Sequence, residues 1–357
     1  NEVVKSPGIP DTAPIVKRIR ERGIPVIPDI EFAGRHKAVA KTICITGSNG
    51  KTTTTSLIYK IMRDAGRKVS LGGNIGESFA YSVATEKNFW YVLELSSFQL
   101  DGMTKFRADV GVLMNITPDH LDRYDYKFEN YAASKMRITQ NQSSADAFIY
   151  SADDDMTRQM LDKMDSSLRA RQLPFAINTA IASGDGDAVL EGYTFTASVG
   201  KQSVTIDTRK MQIHGMHNIY NAMAAALATL AAGVEPRVIK RSIYDFSPVE
   251  HRLEPAGERN GIRWINDSKA TNVDSVWYAL ESMQQPTVWI AGGTDKGNDY
   301  TPLKEFARRK VKALICMGLD NAKLKRDFDG IIPIIEDCSS LDEAMRAAER
   351  HATEGDT

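Results

Sequence analysis

The stretch Thr42-Ile43-Cys44-Ile45-Thr46-Gly47-Ser48-Asn49-Gly50-Lys51-Thr52-Thr53-Thr54 decides how the chain folds. Its first five residues form a β-branched apolar run that reads as a buried strand. Beyond Lys51, the residues Leu57, Ile58, Ile61 and Met62 recur at helical spacing as far as Asp64, and Gly66 offers a C-cap. Between strand and helix stands a glycine-rich turn. Such a turn lets backbone N–H groups close around phosphate oxygens, and the helix N-terminus adds positive potential. Gly47, Ser48, Asn49, Gly50, Lys51, Thr52 and Thr53 are therefore the candidate cradle for nucleotide phosphates, the alternative being a tight βα turn with Lys51 merely exposed. Lys51 is placed to reach the β- and γ-phosphates, and the Thr52 hydroxyl to ligate Mg²⁺. The spacing is a shortened variant of the usual phosphate loop, because Gly47 is the only glycine in the turn ahead of the Gly50-Lys51 pair.

Working outward, apolar strands are expected over 89–95, 110–115 and 147–150, with a helix over 129–140. Strand and helix in alternation imply a mostly parallel sheet covered on both faces. Over 187–207 the period becomes two, with Gly200 between two alternating runs, which reads as an antiparallel hairpin added to that sheet. An alanine-rich helix over 217–232 closes at Gly233. After Pro248 a second, Rossmann-like α/β unit begins, with strands expected over 262–266, 287–291, 313–317 and 331–335 and a helix over 273–283. The organisation expected is α/β throughout: 1–36 as the tail of an N-terminal α/β domain, 37–248 as a central ATP-binding domain, and 249–357 as a truncated C-terminal domain. The chain opens without Met on Val3-Val4 and ends after a helix at Thr357, so a fragment at both ends is expected.

Composition excludes several classes. The 357 residues are 42% hydrophobic and 25% charged, enough apolar material for two or three cores. A net charge of −1 leaves no electrostatic footprint for nucleic acid or an acidic membrane. No apolar run reaches the roughly 18 residues a membrane helix needs. Cys44, Cys316 and Cys338 are scattered, which suits a reducing cytosol better than a disulfide framework or metal cluster. A cytoplasmic monomer is the expectation.

Polar residues gather after the expected strands. Glu94, in Glu94-Leu95-Ser96-Ser97, ends a strand at the edge where α/β sheets bind ligands, and could hold Mg²⁺ or simply be solvated. His120 lies in Asn115-Ile116-Thr117-Pro118-Asp119-His120-Leu121-Asp122, and could ligate metal, position phosphate or act structurally. Lys135, on the following helix, reads by itself as a solvated surface group. Asn218 and Asn221 share one helix face, suited to a base or to N-capping. Arg252, in Glu250-His251-Arg252, stands where the second unit starts and could clamp phosphate. Asn266-Asp267-Ser268-Lys269-Ala270-Thr271-Asn272 and Gly292-Gly293-Thr294-Asp295-Lys296-Gly297 follow strands of that unit and are expected at its sheet's C-terminal edge, with Lys296 over an anionic substrate.

In this order the motifs resemble the Mur ligase family, which shares its ATPase with folylpolyglutamate synthase. The phosphate loop, Glu94, 115–122, Lys135, 217–221 and 250–252 look like family-wide marks. Ser6-Pro7-Gly8-Ile9, Gly73-Asn74-Ile75-Gly76, Glu94 to Leu100 and, above all, 266–272 are similar to the D-glutamate-adding branch. The resemblance implies ATP-dependent joining of UDP-N-acetylmuramoyl-L-alanine to D-glutamate through an acyl phosphate, in bacterial peptidoglycan precursor synthesis. Residue by residue, it implies Gly47 to Thr54, Asn218, Asn221, Arg252 and Asp267 for ATP. One Mg²⁺ falls to Thr52 and Glu94, and a second to His120 and a carbamylated Lys135. Asn74 and Ser96 would face the acceptor, and Thr271 and Lys296 would meet D-glutamate with Lys269 close by. Lys51, His120, Lys135, Arg252 and Lys269 would carry the catalysis. The family's glycine-rich uridine-binding start and its C-terminal serine-rich stretch do not occur in this sequence. A ligase of the same superfamily for a different amino acid, or a P-loop ATPase that makes no amide bond, are the alternatives.

Overall fold

The computed structural model describes residues 2–6, 8, 9, 11–87, 89–164, 167–181, 186–247, 253–293 and 298–357. In chain order the elements are β1 (Val3–Lys5), α1 (Pro14–Glu21), β2 (Val26–Pro28), α2 (Asp29–His36), β3 (Lys41–Thr46), α3 (Lys51–Asp64), β4 (Val69–Gly73), α4 (Phe79–Thr85), β5 (Trp90–Glu94), α5 (Ser97–Asp101), β6 (Val110–Leu113), α6 (Phe128–Met136), β7 (Ala147–Ser151), α7 (Asp155–Met164), β8 (Arg171–Ala176), β9 (Gly186–Glu191), β10 (Thr194–Val199), β11 (Gln202–Asp207), α8 (Met216–Ala231) and α9 (Pro236–Tyr244). There follow β12 (Glu254–Arg259), β13 (Ile262–Asn266), α10 (Val273–Ser282), β14 (Thr287–Ala291), α11 (Lys304–Lys310), β15 (Val311–Met317), α12 (Ala322–Phe328), β16 (Ile334–Cys338) and α13 (Leu341–His351). Among the described residues no helix is long and apolar enough to cross a membrane. The chain divides into two compact units, Asn1–Ser247 and Pro248–Thr357.

The first unit is built on a nine-stranded sheet in the order β11-β10-β9-β8-β7-β6-β3-β5-β4. From β4 to β9 the neighbours run parallel, and β9, β10 and β11 pair antiparallel. The expected hairpin is thus the outer part of a three-stranded meander. β3 is central because all its residues after Lys41 are buried, and it is flanked by β5 and β6, where the strand order reverses. That reversal opens the crevice in which α/β sheets take ligands. Leu57, Ile58 and Ile61 of α3 are fully buried, each contributing roughly 1.5–3 kcal/mol. On the sheet's other face, Ile30, Phe79, Leu100 and Tyr131 join Cys44, Leu93 and Phe148 in one core. β1 and β2 form a separate parallel pair. Glu31 of α2 is buried, and its carboxylate accepts N–H bonds from Thr104, Lys105 and Phe106 at 2.9–3.0 Å. Those donors hold its carboxyl below its ordinary range despite burial.

In the second unit β14, β15 and β16 form a parallel sheet. Leu280, Leu303, Ala307, Leu324 and Phe328 pack with Leu314 and Cys316 in one core, and Ala344, Ala347 and Ala348 pack with Ala313 and Ile315 in another. The strand over 262–266 differs from expectation in its partner. β13 pairs antiparallel with β12, in a two-stranded sheet of its own. Between it and β14 lie residues 355–357: Gly355 N–H donates to Gly261 and Arg263 N–H to Asp356, while Thr357 exchanges bonds with Pro286 and Val288. Asp356 is buried and paired with Lys312 at 2.7 Å.

Candidate functional site

The turn after β3 is shaped by close packing. Gly50 sits at φ +80°, and a Cβ there would lie 2.5 Å from Asn221 Oδ1; Gly47 sits at φ +148°, and a Cβ there would lie 2.9 Å from Met114 Cβ. Only glycine fits either place without displacing a neighbour. Gly50 is also the N-cap of α3 and provides no capping side chain. The first turn of α3 therefore presents its N–H groups as an anion site would.

Two walls grip this turn. On one side Asn115 accepts from Asn49 N–H at 2.9 Å through Oδ1 and from Ser48 N–H at 3.0 Å through its carbonyl. Ser48 Oγ donates to Thr117 O at 2.8 Å, accepts from Thr117 N–H at 2.9 Å and lies 3.1 Å from the Tyr131 hydroxyl. On the other side Asn221 Oδ1 accepts from Thr54 Oγ1 at 3.1 Å, and its amide donates to Asn218 Oδ1 at 3.0 Å. Asn221 thus bonds both α3 and Asn218, its neighbour on one helix face.

Two lysines converge on one oxygen. Lys51 Nζ donates to Gly47 O and Ser48 O, and Lys135 Nζ donates to the same Gly47 O, all at 2.8 Å. The structure corrects the surface reading of Lys135, whose side chain is among the largest fully buried ones and stands 4.6 Å from the Tyr131 ring centre. Burial pushes its ammonium well below its ordinary value and the Lys51 charge adds to this, against the pull of Asp119, Asp101 and Glu94.

Glu94, at the end of β5, is 2% exposed. Its Oε1 accepts from Asn74 Nδ2 at 3.0 Å, while Oε2 is buried with no hydrogen-bond partner, as is Thr46 Oγ1 at the end of β3. A buried carboxylate oxygen without a donor is a ready hard-cation ligand. That is the donor chemistry expected of Glu94 as a Mg²⁺ ligand. His120 sits at φ +51°, with its ring 5.2 Å from that of Phe98. Lys135 as an amine is no hard-cation ligand, whereas a carbamate oxygen there would be. Among the described residues no three His, Cys, Asp or Glu side chains group as metal ligands. Ser96 is the N-cap of α5, in a capping box with Gln99.

In the second unit Asp267 accepts from Leu253 N–H at 3.0 Å, and Asn272 caps α10 through Ser275 N–H at 2.9 Å. Lys269 and Thr271 are exposed. Arg252 and Lys296, with Glu250 and His251, lie outside the described residues. Tyr131 was not singled out from the sequence. Its signal was there: it stands four residues before Lys135, hence on the same helix face.

Comparison with known proteins adds independent observations. Residues 45–229 match the Mur ligase middle domain, and residues 251–357 match the Mur ligase, glutamate ligase domain. The chain is 51% identical over 358 residues to the UDP-N-acetylmuramoylalanine–D-glutamate ligase of Bacteroides fragilis, covering 100% of this chain and 79% of that protein. It is 46% identical over 354 residues to the ligase of the same name from Christiangramia forsetii, covering 99% and 78%. A pseudomurein peptide ligase type C from Methanothermus fervidus shares the fold with a TM-score of 0.69 at 18% identity, over 100% of this chain and 83% of that one.

Proposed function

The chain belongs to the Mur ligase family, and we propose that it joins UDP-N-acetylmuramoyl-L-alanine to D-glutamate at the expense of ATP, through the residues described above. One observation carries the reading: the phosphate loop is seated between Asn115 and Asn221 in a chain 51% identical throughout to a ligase of that name. The domain division that goes with it is 1–36 for the nucleotide sugar, 37–248 for ATP and 249–357 for the amino acid.

The γ-phosphoryl group passes from ATP to the L-alanine carboxylate. The amine of D-glutamate attacks the carbonyl carbon of the acyl phosphate, and phosphate leaves as the amide forms. Both steps bring anions together, so the chain's task is orientation and charge compensation. The α3 N-terminus and Lys51 hold the β- and γ-phosphates, for which Lys51 exchanges its two loop carbonyls for phosphate oxygens. Asn218, Asn221, Asp267 and Arg252 hold the nucleotide. Asn74 and Ser96 face the acceptor; Thr271, Lys296 and Lys269 serve D-glutamate. Thr52 and Glu94 would hold one magnesium, and His120 with Lys135 a second; when bound, these supply positive charge to the phosphoryl oxygens.

The surroundings of Lys135 support the proposed carbamylation. A fully buried ammonium that shares an oxygen with Lys51 is disfavoured twice, by desolvation and by repulsion. The neutral amine is the form that adds CO₂, and the resulting carbamate turns repulsion from Lys51 into attraction. The proposal is tested by phosphate release with ATP and UDP-N-acetylmuramoyl-L-alanine, adding D-glutamate, L-glutamate, L-alanine or L-lysine in turn. Release that depends on D-glutamate is the expected result; equal release without any amino acid would make the chain an ATPase.

A further inference from the structure

The turn after β7 carries two adjacent carboxylates that the mechanism above does not use, and each reaches a different wall of the phosphate loop. Asp153 accepts N–H bonds from Ile177 at 2.6 Å, Asn178 at 3.2 Å and Thr179 at 2.7 Å, and the Tyr220 hydroxyl at 2.6 Å. Tyr220 stands on the first turns of α8, between Asn218 and Asn221. Asp154 accepts from Ile116 N–H at 3.2 Å through one oxygen and from Thr157 N–H at 2.8 Å and Thr157 Oγ1 at 2.5 Å through the other. Ile116 lies between Asn115 and Thr117, the residues that hold Asn49 and Ser48.

We propose that Asp153 and Asp154 are a positioning pair that sets the separation of the two walls of the nucleotide site, Asp153 placing the asparagine helix and Asp154 placing the Asn115–Thr117 segment. The inference rests on the reading of the loop as an ATP site and extends it to residues that touch no substrate. Consecutive Cα atoms stay about 3.8 Å apart across a trans peptide, so the two anchors cannot drift relative to each other. Neither carboxylate has a neutral substitute. An asparagine at 153 or 154 must turn its NH₂ toward a backbone N–H that now has an acceptor. The two carboxyls differ in setting: burial raises that of Asp154, whereas at Asp153 burial is outweighed by the N–H and O–H donors, which lower it.

The test uses the whole chain with Mg·ATP. Tyr220→Phe removes one hydroxyl from the Asp153 carboxylate. It is expected to raise the calorimetric Kd and the apparent KM for ATP severalfold with kcat within twofold, alongside a fall in Tm of a few degrees from the lost bond to a charged group. Asp153→Asn is expected to weaken ATP binding further, and adding Tyr220→Phe to it should change Kd by less than twofold, because the two act through one bond. Asp154→Asn should lower kcat more than it raises the KM for ATP. A lowered Tm with unchanged Kd in Tyr220→Phe would make the pair merely structural and overturn the proposal, as would additive effects in the double variant. Absence of ATP binding by the unaltered chain overturns the ATP-site reading as well. Normal ATP binding that Lys51→Ala abolishes and Tyr220→Phe leaves untouched overturns this inference alone.

Discussion

The turn after β3 and the turn after β13 are both polar, and each leads from a strand into a helix, yet they are held in different ways. The first is locked by side chains from far along the sequence: Asn115, Thr117, Tyr131, Lys135 and Asn221 all bond to it or its helix, and Ser48, Lys135 and Asn221 are buried. In the second, Asp267 is bonded to Leu253, Asn272 caps its own helix, and Lys269 and Thr271 are exposed. On the proposed reading, the turn assigned to phosphate takes its shape from a folded core, whereas the turn assigned to the amino acid presents exposed side chains. Lysine is accordingly buried and electrostatically perturbed where Lys135 of α6 meets the first turn, and exposed at Lys269 in the second.

The difference can be broken most directly at Lys51. Lys51→Ala should cut kcat by about 10³-fold, on the order of 4 kcal/mol of transition-state stabilisation, in a phosphate-release assay. Near-native turnover would mean that the first turn is a structural knot with no phosphate in it. Lys135→Ala should lose about 10²-fold and recover partly in acetate, with activity of the unaltered protein rising on addition of bicarbonate. Full activity in the alanine variant, or indifference to both additives, would remove the carbamate.

A third probe asks whether buried anions in the first unit are as firmly held as its cations. Glu31→Gln should cost about 2 kcal/mol at neutral pH, because an amide must face N–H groups that a carboxylate now accepts. The folded-state value lies below the ordinary 4.5, so the unfolded chain takes up this proton at higher pH than the folded one. The contribution is full above about 4.5 and drains away as pH falls through the folded-state value. Denaturant unfolding at several pH values checks it; a gap between variant and parent that does not narrow as pH falls below 4.5 would put the effect in packing. The smallest effect belongs to the second unit. Lys296→Ala should raise the KM for D-glutamate about tenfold and leave those for ATP and the nucleotide sugar within threefold. A loss falling on ATP would move Lys296 to the phosphate site and erase the contrast.

How much of this was legible in the sequence follows the same division. α3 begins and ends where its apolar spacing does, and β13 and β14 have the bounds their β-branched runs give. Strands with weaker patterns escaped. β8 contains Pro174, tolerated because its ladder to β9 starts only at Phe175, past the missing N–H. β12 is Glu-Pro-Ala-Gly-Glu-Arg, five of its six residues exposed, and owes its existence to pairing with β13. The last strand sits at 334–338 instead of 331–335, because Ile332 is buried beside α12 and the strand itself is an edge with Ile334 exposed. Sequence spacing located the glycine-rich turn between β3 and α3 but could not show that Lys135 is buried, because the lysine's setting is made by Gly47, 88 residues earlier.

The seam in the second unit has a bearing on the order in which the chain is made. β13 and β14 are near neighbours in sequence, but the hydrogen bonds between Arg263 and Asp356 and between Val288 and Thr357 join them only through residues synthesised about 70–90 positions later. As the chain emerges, β14 and β15 can zip together from nearby sequence, whereas the β12–β13 hairpin must wait with one edge open. An open strand edge is the feature by which nascent chains find wrong partners. The exposed charges of Glu258 and Arg259 on β12, and of Arg263 on β13, keep that waiting hairpin poorly suited to pairing with a second chain.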